Sequence, residues 1–332
     1  MSALTPARYF DTITAFQKSD ALNAALDLSV FTAIGEGNTT PDTIAARTKA
    51  SPRGIRILCD YLVINGFLEK NGTGYKLAAD TALFLDENSP AYMGGTRVFL
   101  RSSMIRDAHA GLTDAVRNGR TSLHGAGSVE PDHPVWQTFA RAMMPMMFPP
   151  AQHMAKIVGP ISPCRVLDIA ASHGIFGAAI AQANPNAQIT ALDFGGVLEV
   201  AKETVNRFGL SERYQYIPGS VFDVELGGPY DVVLLTNLLH HFSAADNEKM
   251  LKRIRAAMAP GGRVLTLDFV PNDDRITPPM SGQFSMMMLA STAEGDAYTF
   301  NEYDQMFRNA GFPRSEIQQA DGAPQQIITS YV

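Results

Sequence analysis

The chain has 332 residues, 45% of them hydrophobic and 18% charged, with a formal net charge of -6 and a pI of about 5.6. This length suits two domains, and the acidic balance argues against a duplex-DNA binder, which needs a basic face. Two cysteines, Cys59 and Cys164, are too few for a disulfide framework. No signal peptide is apparent, nor an apolar run of about 18 residues. We therefore expect a cytoplasmic protein without membrane or nucleic-acid partners.

The first hundred residues predict helices followed by a hairpin. Apolar residues at helical spacing predict a helix over Phe16–Ile34. Thr40-Pro41 and Ser51-Pro52 each combine a capping residue with proline at the first helical position, so each begins another helix. Asn65-Gly66 ends the second of these, and Phe67–Leu77 has the pattern of a hairpin. This order indicates an N-terminal, all-helical winged-helix domain over residues 1–100, which we interpret as a dimerisation domain.

A winged helix can also bind DNA, and its recognition helix is the element to inspect. The helix that begins at Pro52 offers only Arg53 and Arg56 as cations, and Asp60 opposes them. Base readout and phosphate contacts need more cations than this. Dimerisation is therefore favoured, although a winged-helix regulator that senses a ligand remains an alternative. Residues 101–160 read as a helical connector that contributes to a substrate pocket.

From residue 161 to 332, strands and helices alternate regularly. The predicted strands are Arg165–Ala170, Gln188–Asp193, Tyr214–Gly219, Tyr230–Asn237 and Arg263–Val270. Such alternation predicts parallel strands with helices on both faces, an α/β fold. Ligands bind outside the carboxyl ends of such strands, so polar residues just after each strand are the candidate site.

Two of these strand ends predict a nucleotide-like ligand. Asp193 ends the second strand, where a carboxylate can accept hydrogen bonds from both hydroxyls of a ribose. The segment Asp168–Gly174 predicts a tight turn that lets the backbone approach the ligand, and the following helix would direct its amides at an anionic group. A nicotinamide-dependent oxidoreductase would share this logic, but the chain lacks the G-x-G-x-x-G turn that such enzymes use.

The second part resembles class I methyltransferases, and nearly the whole chain is similar to the acetylserotonin and caffeate O-methyltransferase family, particularly its bacterial members. The matching segments are DIAASHG (168–174), Asp193, PGSVFD (218–223), LLHHF (238–242), PGGRVLTLDFV (260–270) and NAGF (309–312). The resemblance implies a Rossmann-like domain that binds S-adenosylmethionine over residues 161–332, behind a dimerisation domain. It also implies a homodimer that methylates a small molecule.

The resemblance implies particular cofactor contacts. They fall on Asp168, Ala170, Ser172, Gly174, Asp193, Phe194, Ser220, Val221, Phe222 and Asn237. Ala170 and Ser172 replace two of the family's glycines, and both are small enough to keep a close backbone approach. Ser220 stands where the plant enzymes have an acid, so the adenine contacts would fall on Val221 and Phe222.

The resemblance also implies a catalytic pair. His240 matches the family's general base and Asp268 the acid that orients it, while His241 replaces the aspartate that normally follows the histidine. The family's second acid falls at or beside Ala297 and is lost; Asp296 or Glu294 would be needed to replace it. A bound metal is not expected, although His173, His240, His241 and Asp268 could approach one another.

An apolar substrate pocket is expected between the two parts of the chain. Its predicted lining is Phe139, Met143, Met144, Met147, His241, Met286, Met287 and Leu289, with Trp136 as an additional candidate. Such a lining suits a flat aromatic or polyketide-like acceptor. The predicted reaction is transfer of a methyl group from S-adenosylmethionine to a hydroxyl, and methylation of carbon or nitrogen remains an alternative.

Overall fold

The computed structural model describes residues 4–125, 127 and 133–332. The chain divides into two compact units, Met1–Arg97 and Val98–Val332. In the described residues, none of the helices combines the length and apolar character that crossing a bilayer requires.

The first unit is helical apart from one hairpin. Its elements are α1 (Ala7–Ile13), α2 (Phe16–Asp27), α3 (Val30–Gly35), α4 (Pro41–Thr48), α5 (Pro52–Ile64), the strands β1 (Leu68–Asn71) and β2 (Gly74–Leu77), and α6 (Ala79–Phe84). The two predicted helix starts are confirmed, since the Thr40 and Ser51 side chains accept hydrogen bonds from the backbone amides of Thr43 and Gly54. The predicted hairpin is confirmed too, with β1 and β2 antiparallel.

The prediction of one continuous helix over Phe16–Ile34 is wrong. Ser29 has a φ of 52°, in the left-handed region, so α2 ends before it and α3 begins after it. The Ser29 hydroxyl bonds to Glu87 on the surface. The bend lets Phe31 and Ile34 join the buried core of this unit, whose largest side chains are Tyr75, Phe31, Ile44, Ile55 and Leu62. Core burial thus overrides the helical continuity that spacing alone indicates.

The second unit begins with short helices and continues as an alternating α/β domain. Its helices are α7 (Arg97–Leu100, across the division), α8 (Ser103–Ala110), α9 (Leu112–Asn118), α10 (Val135–Met143), α11 (Phe148–Val158), α12 (Ile175–Ala183), α13 (Gly195–Arg207), α14 (Ala244–Ala256), α15 (Pro279–Ser291) and α16 (Phe300–Asn309). Its strands are β3 (Cys164–Ile169), β4 (Ala187–Asp193), β5 (Tyr214–Pro218), β6 (Tyr230–Thr236), β7 (Met258–Asp268), β8 (Arg314–Gln319) and β9 (Gln326–Tyr331).

These seven strands form one sheet in the order β5-β4-β3-β6-β7-β9-β8. The five predicted strands are confirmed and pair in parallel. Sequence analysis missed β8 and β9, which join antiparallel at one edge and make the sheet mixed. The β8 sequence RSEIQQ is polar, with a single strongly apolar residue, so it lacks the pattern that made the buried strands recognisable.

Both faces of the sheet are buried, which explains the continuous apolar runs in its central strands. On one face, Val166 and Leu234 pack with Phe176 of α12 and Met154 of α11. On the other face, a second buried cluster forms around Leu167, Val233, Leu251 of α14 and Phe307 of α16. Because β3 to β7 run parallel, their carboxyl ends lie along one edge of the sheet, and the polar residues that follow these strands lie there too.

Candidate active site

The first cavity, of about 330 Å³, opens at the carboxyl ends of the parallel strands. We call it the strand-end cavity. It is lined by Trp136, Phe139, Met147, Ala170, Ser172, His173, Phe176, Asp193, Phe194, Val197, Ser220, Phe222, Asp223, Thr236, Asn237, Leu238, His241 and Phe242. Its lining residues belong to the second unit of the chain.

The loop after β3 shapes the middle of the strand-end cavity. Ala170, Ser172 and Gly174 all have φ between 52° and 72°. For Ala170 and Ser172 this left-handed conformation costs roughly 1–3 kcal/mol each, so the loop keeps the shape that glycine would permit more easily. At Gly174 the same conformation is combined with close packing, because an added Cβ would lie 3.2 Å from the Cβ of Ala201, which is tighter than an ordinary contact.

Asp193 fixes this loop to the next strand. Its Oδ2 accepts a hydrogen bond from the Ser172 amide at 2.8 Å, and its Oδ1 accepts one from the Phe194 amide at 2.7 Å. The side chain also lines the cavity. Phe194 and Val197 on one side and Phe222 on the other provide apolar surface beyond it.

Asp168 supports the loop from below and does not line the cavity. It is fully buried, and its Oδ2 accepts the Gly177 amide at 3.1 Å. Burial raises the pKa of Asp168 to about 8, although the bond from Gly177 acts in the opposite direction. Gly174 and the buried Val221 likewise shape the wall from behind, so of the ten predicted cofactor contacts these three do not line the cavity.

A second cavity, of about 290 Å³, adjoins the first, and seven methionines are part of its wall. We call it the methionine-lined cavity. It is lined by Phe99, Leu100, Met104, Ile105, Trp136, Phe139, Met143, Met146, Met147, Asn237, His240, His241, Phe269, Met280, Phe284, Met287, Met288, Ser291, Pro324 and Gln325. It shares Trp136, Phe139, Met147, Asn237 and His241 with the strand-end cavity.

His240 and Asp268 form a buried pair at the methionine-lined cavity. His240 Nδ1 lies 2.5 Å from Asp268 Oδ1, and because a carboxylate only accepts, the histidine donates. Asp268 Oδ1 also accepts the Phe269 amide at 2.8 Å, which fixes the carboxylate. His240 lines the cavity, so its other ring nitrogen, Nε2, is the one available to a bound molecule. The pair therefore has the arrangement of a base and its orienting acid.

The turn that carries the two histidines is held by side chains that sequence analysis missed. Asn247 Nδ2 donates to the carbonyl oxygens of Leu239 and Phe242, and the Tyr298 hydroxyl donates to the same Phe242 carbonyl at 2.7 Å. Asn247 lies a few residues beyond the turn and Tyr298 lies far along the chain from it, and no motif pointed to either residue. They fix the backbone on both sides of His240 and His241.

His241 joins the two cavities. Its ring centroid lies 4.3 Å from that of His240 and 5.4 Å from that of Trp136. Burial, with His240 as a smaller contributor, lowers the pKa of His241 well below its ordinary value. His241 is therefore a neutral ring near pH 7.

The structure corrects part of the predicted substrate pocket. Phe139, Met143, Met147, Met287, Trp136 and His241 line the methionine-lined cavity, whereas Met144, Met286 and Leu289 do not. Met286 is 48% exposed, on the outer side of α15, and Met144 Sδ accepts a bond from Thr204. Met146 and Met288 occupy the wall instead, because helix phase selects one neighbour over the next.

The candidate replacements for the lost second acid form no hydrogen bond or ion pair with His240. Ala297 is buried, Asp296 pairs with Arg275 on the surface, and neither Asp296 nor Glu294 lines the methionine-lined cavity. Tyr303 is buried near Asp268 instead, and burial together with that carboxylate raises the pKa of Tyr303 well above its ordinary value. In the described part of the chain, no three His, Cys, Asp or Glu side chains gather closely enough to hold a metal ion.

Comparison with known proteins identifies the family. A model described as the O-methyltransferase domain matches residues 109–313, and one described as the O-methyltransferase dimerisation domain matches residues 10–87. The chain is 27% identical over 311 residues to the tetracenomycin polyketide synthesis 8-O-methyl transferase of Streptomyces glaucescens, covering 92% of this chain and 91% of that protein.

Solved structures agree with this family. An inferred O-methyltransferase from Nostoc punctiforme PCC 73102 is 49% identical, with a TM-score of 0.97 over 99% of this chain and 100% of that chain. Human N-acetylserotonin methyltransferase in complex with SAM shares the fold, with a TM-score of 0.83 at 23% identity over 100% and 99% of the two chains. The chain therefore belongs to the O-methyltransferase family, whose members are enzymes that use S-adenosylmethionine.

Proposed function

We propose that the chain transfers the methyl group of S-adenosylmethionine to a hydroxyl of a small aromatic or polyketide-like molecule, with His240 as the general base. The observation that carries this proposal is the His240–Asp268 hydrogen bond beside an apolar cavity. The proposal keeps the domain limits predicted from the sequence. Residues 1–100 form the dimerisation domain, residues 101–160 contribute to the acceptor pocket, and residues 161–332 bind the cofactor.

The strand-end cavity fits S-adenosylmethionine by the chemistry of its lining. Asp193 suits the two hydroxyls of the ribose, and Phe194, Val197 and Phe222 offer apolar surface to the adenine. The Ser172 hydroxyl is buried without a hydrogen-bond partner within the protein. Buried polar groups are normally hydrogen-bonded, so a polar group of a bound ligand is the partner we expect for it. When bound, the cofactor supplies a methyl group that is already activated toward a nucleophile.

The methionine-lined cavity fits a flat acceptor with few polar groups. Its wall is made mostly of methionine and aromatic side chains, and thioethers adapt to irregular apolar shapes and contact aromatic rings favourably. Its polar side chains are Asn237, His240, His241, Ser291 and Gln325. The Ser291 hydroxyl donates to the Met287 carbonyl, and Gln325 Nε2 donates to Asn237 Oδ1. The two histidines are the remaining polar side chains of the wall.

His240 is placed to remove the proton of the acceptor hydroxyl. A phenol has a pKa of about 10 and is mostly protonated at pH 7, so a neutral imidazole at Nε2 is a suitable proton acceptor. Asp268 accepts a hydrogen bond from the His240 Nδ1–H throughout, which fixes the tautomer and stabilises the imidazolium once Nε2 has taken the proton of the acceptor hydroxyl. The apolar wall excludes water from the reacting oxygen.

The homodimer is part of the same proposal. The dimerisation model covers residues 10–87, and α1 with the start of α2 exposes Tyr9, Phe10, Ile13 and Phe16, each by more than half. Adjacent exposed apolar residues of this size favour a protein partner. Light scattering coupled to size exclusion should give twice the chain mass, whereas a monomeric mass at micromolar concentration would contradict the dimer.

The experiment that tests the enzymatic proposal is a methylation assay with S-adenosylmethionine and a panel of phenols, naphthols and hydroxyanthraquinones. Mass spectrometry detects the product, and NMR assigns the methyl group to oxygen, carbon or nitrogen. His240→Ala should lower kcat by about 100- to 10,000-fold while binding of S-adenosylhomocysteine is unchanged. His109→Ala, at an exposed histidine outside both cavities, is the control. A loss below about threefold in His240→Ala would exclude the base role.

A further inference from the structure

His173 is a buried histidine of the strand-end cavity that the proposed reaction does not use. Its Nδ1 accepts a hydrogen bond from the Ile175 amide at 3.3 Å, and its ring lies against Phe176 with centroids 5.7 Å apart. Burial lowers the pKa of His173 to about 3, so the ring is neutral near pH 7. Because Nδ1 is an acceptor in a neutral ring, the single ring proton is on Nε2.

His173 therefore presents a donor and no acceptor to the strand-end cavity. The bond from Ile175 occupies Nδ1, and the ring lines the cavity while it is almost fully enclosed by protein. A neutral N–H donor favours an anionic partner, because a hydrogen bond to a charged group is stronger than one to a neutral group. An ammonium group, which only donates, finds no partner on this ring.

The order of the strand ends indicates which part of the cofactor His173 meets. Ser220 and Phe222 follow β5, Asp193 ends β4, His173 follows β3 and Asn237 follows β6, and these strands are neighbours in that order. If the ribose lies at Asp193, the adenine extends toward β5. The reacting methyl group must face the residues shared with the methionine-lined cavity, which include Asn237. The amino-acid chain is then left for the loop after β3.

We propose that His173 donates from Nε2 to the carboxylate of the cofactor's amino-acid chain and so selects a cofactor that carries this carboxylate. The inference rests on the proposed cofactor of this site. The state of Asp168, at the base of the same loop, is consistent with this contact. Burial raises the pKa of Asp168 to about 8, so this carboxyl is mostly uncharged near pH 7 and does not repel an anion. His173 is thus a binding residue and takes no part in proton transfer.

The test compares two ligands that differ by one group. Calorimetry with the apo protein measures binding of S-adenosylhomocysteine and of its decarboxylated analogue, which keeps the amine. In the wild type, the first ligand should bind about 10- to 100-fold more tightly. His173→Phe, which keeps an aromatic ring without the donor, should lose that difference and leave the affinity for the decarboxylated analogue within about twofold. His173→Gln, which retains an N–H donor, should recover part of it.

Each outcome decides. Equal weakening of both ligands in His173→Phe would mean that the ring only supports the cavity, and unchanged binding of S-adenosylhomocysteine would mean that it has no contact; both overturn the inference. If His173→Phe does not fold, as judged by the fluorescence of Trp136, the wild-type comparison still decides, since equal affinities for the two ligands overturn it. Failure of the wild type to bind S-adenosylhomocysteine would instead overturn the proposed function itself.

Discussion

The strand-end cavity and the methionine-lined cavity adjoin each other and share five residues, yet they are built in different ways. The strand-end cavity is made largely of residues that follow β3, β4, β5 and β6, and its loops are tied by backbone hydrogen bonds such as those from Ala171 to Leu192 and from Gly219 to Asp193. The methionine-lined cavity is walled mainly by side chains on α7, α8, α10 and α15, together with the turns that flank them.

The position of a side chain is therefore fixed differently in the two cavities. Sheet topology fixes where a strand ends, so a polar residue at that point reaches the site whatever the rest of the sequence is. A helix wall depends on phase, and one residue of error turns a side chain by about 100° around the helix axis, away from the cavity. The strand-end cavity should therefore respond to changes in charge and hydrogen bonding, and the methionine-lined cavity to changes in side-chain volume.

The largest expected effect is on stability and belongs to the buried carboxyl beneath the strand-end cavity. The pKa of Asp168 is about 8 in the folded chain, above its ordinary value of 3.8. The folded state thus keeps a proton that the unfolded state releases, and the free energy of unfolding falls as pH rises from about 4 to about 8. Asp168→Asn, which can still accept the Gly177 amide, should remove this fall, up to about 1.4 kcal/mol per pH unit.

Urea unfolding at pH 5 and pH 7 measures this effect. The chain has one tryptophan, Trp136, which lies in the second unit, so its fluorescence reports on the domain that contains Asp168. The difference between the two pH values should be smaller in Asp168→Asn than in the wild type. Asp231→Asn, at a half-buried aspartate of β6 that accepts the Arg165 amide, is the matched control and should keep the wild-type difference. Equal differences in all three proteins would contradict the buried, protonated carboxyl.

The next largest effect is on cofactor affinity, which should depend on the strand-end cavity and not on the methionine-lined cavity. Asp193→Ala removes the carboxylate that suits the ribose and should weaken binding of S-adenosylhomocysteine by about 10- to 100-fold. Because Asp193 also holds the amides of Ser172 and Phe194, Asp193→Asn, which can hold one of them, should weaken binding less. Calorimetry gives both affinities. An Asp193→Ala variant with wild-type affinity would exclude the ribose contact.

Much of the second unit was predictable because its strands are buried on both faces. Strands such as YDVVLLT are recognisable without tertiary information, and their ends directed attention to Asp193, Asn237, His240 and Asp268. The strands β8 and β9 at one end of the sheet were missed, as was their antiparallel pairing, which only the folded sheet reveals. In the first unit, the break at Ser29 depends on core burial and left no signal in the spacing of apolar residues.

Residues whose role depends on a hydrogen bond between a side chain and the backbone were the least predictable. His173 was weighed only as a metal ligand, because its donor role depends on the Ile175 amide that fixes its tautomer. Asn247 and Tyr298 hold the histidine turn from α14 and from the segment before α16, and nothing local to either residue indicates that contact. Sequence shows which residue types stand at strand ends, whereas the groups that orient them depend on three-dimensional contact.

The smallest expected effect tests the helix wall of the methionine-lined cavity with two neighbouring residues. Met287 lines the cavity and packs with Phe99 and Ile105, whereas Met286 is exposed on the same helix. Met287→Ala removes part of the apolar contact with the acceptor and should raise its KM by roughly three- to tenfold, since each buried methylene contributes about 0.8 kcal/mol. The affinity for S-adenosylhomocysteine should not change. Met286→Ala should leave both quantities at wild-type values, and an equal effect of the two substitutions would show that α15 does not present Met287 to the acceptor.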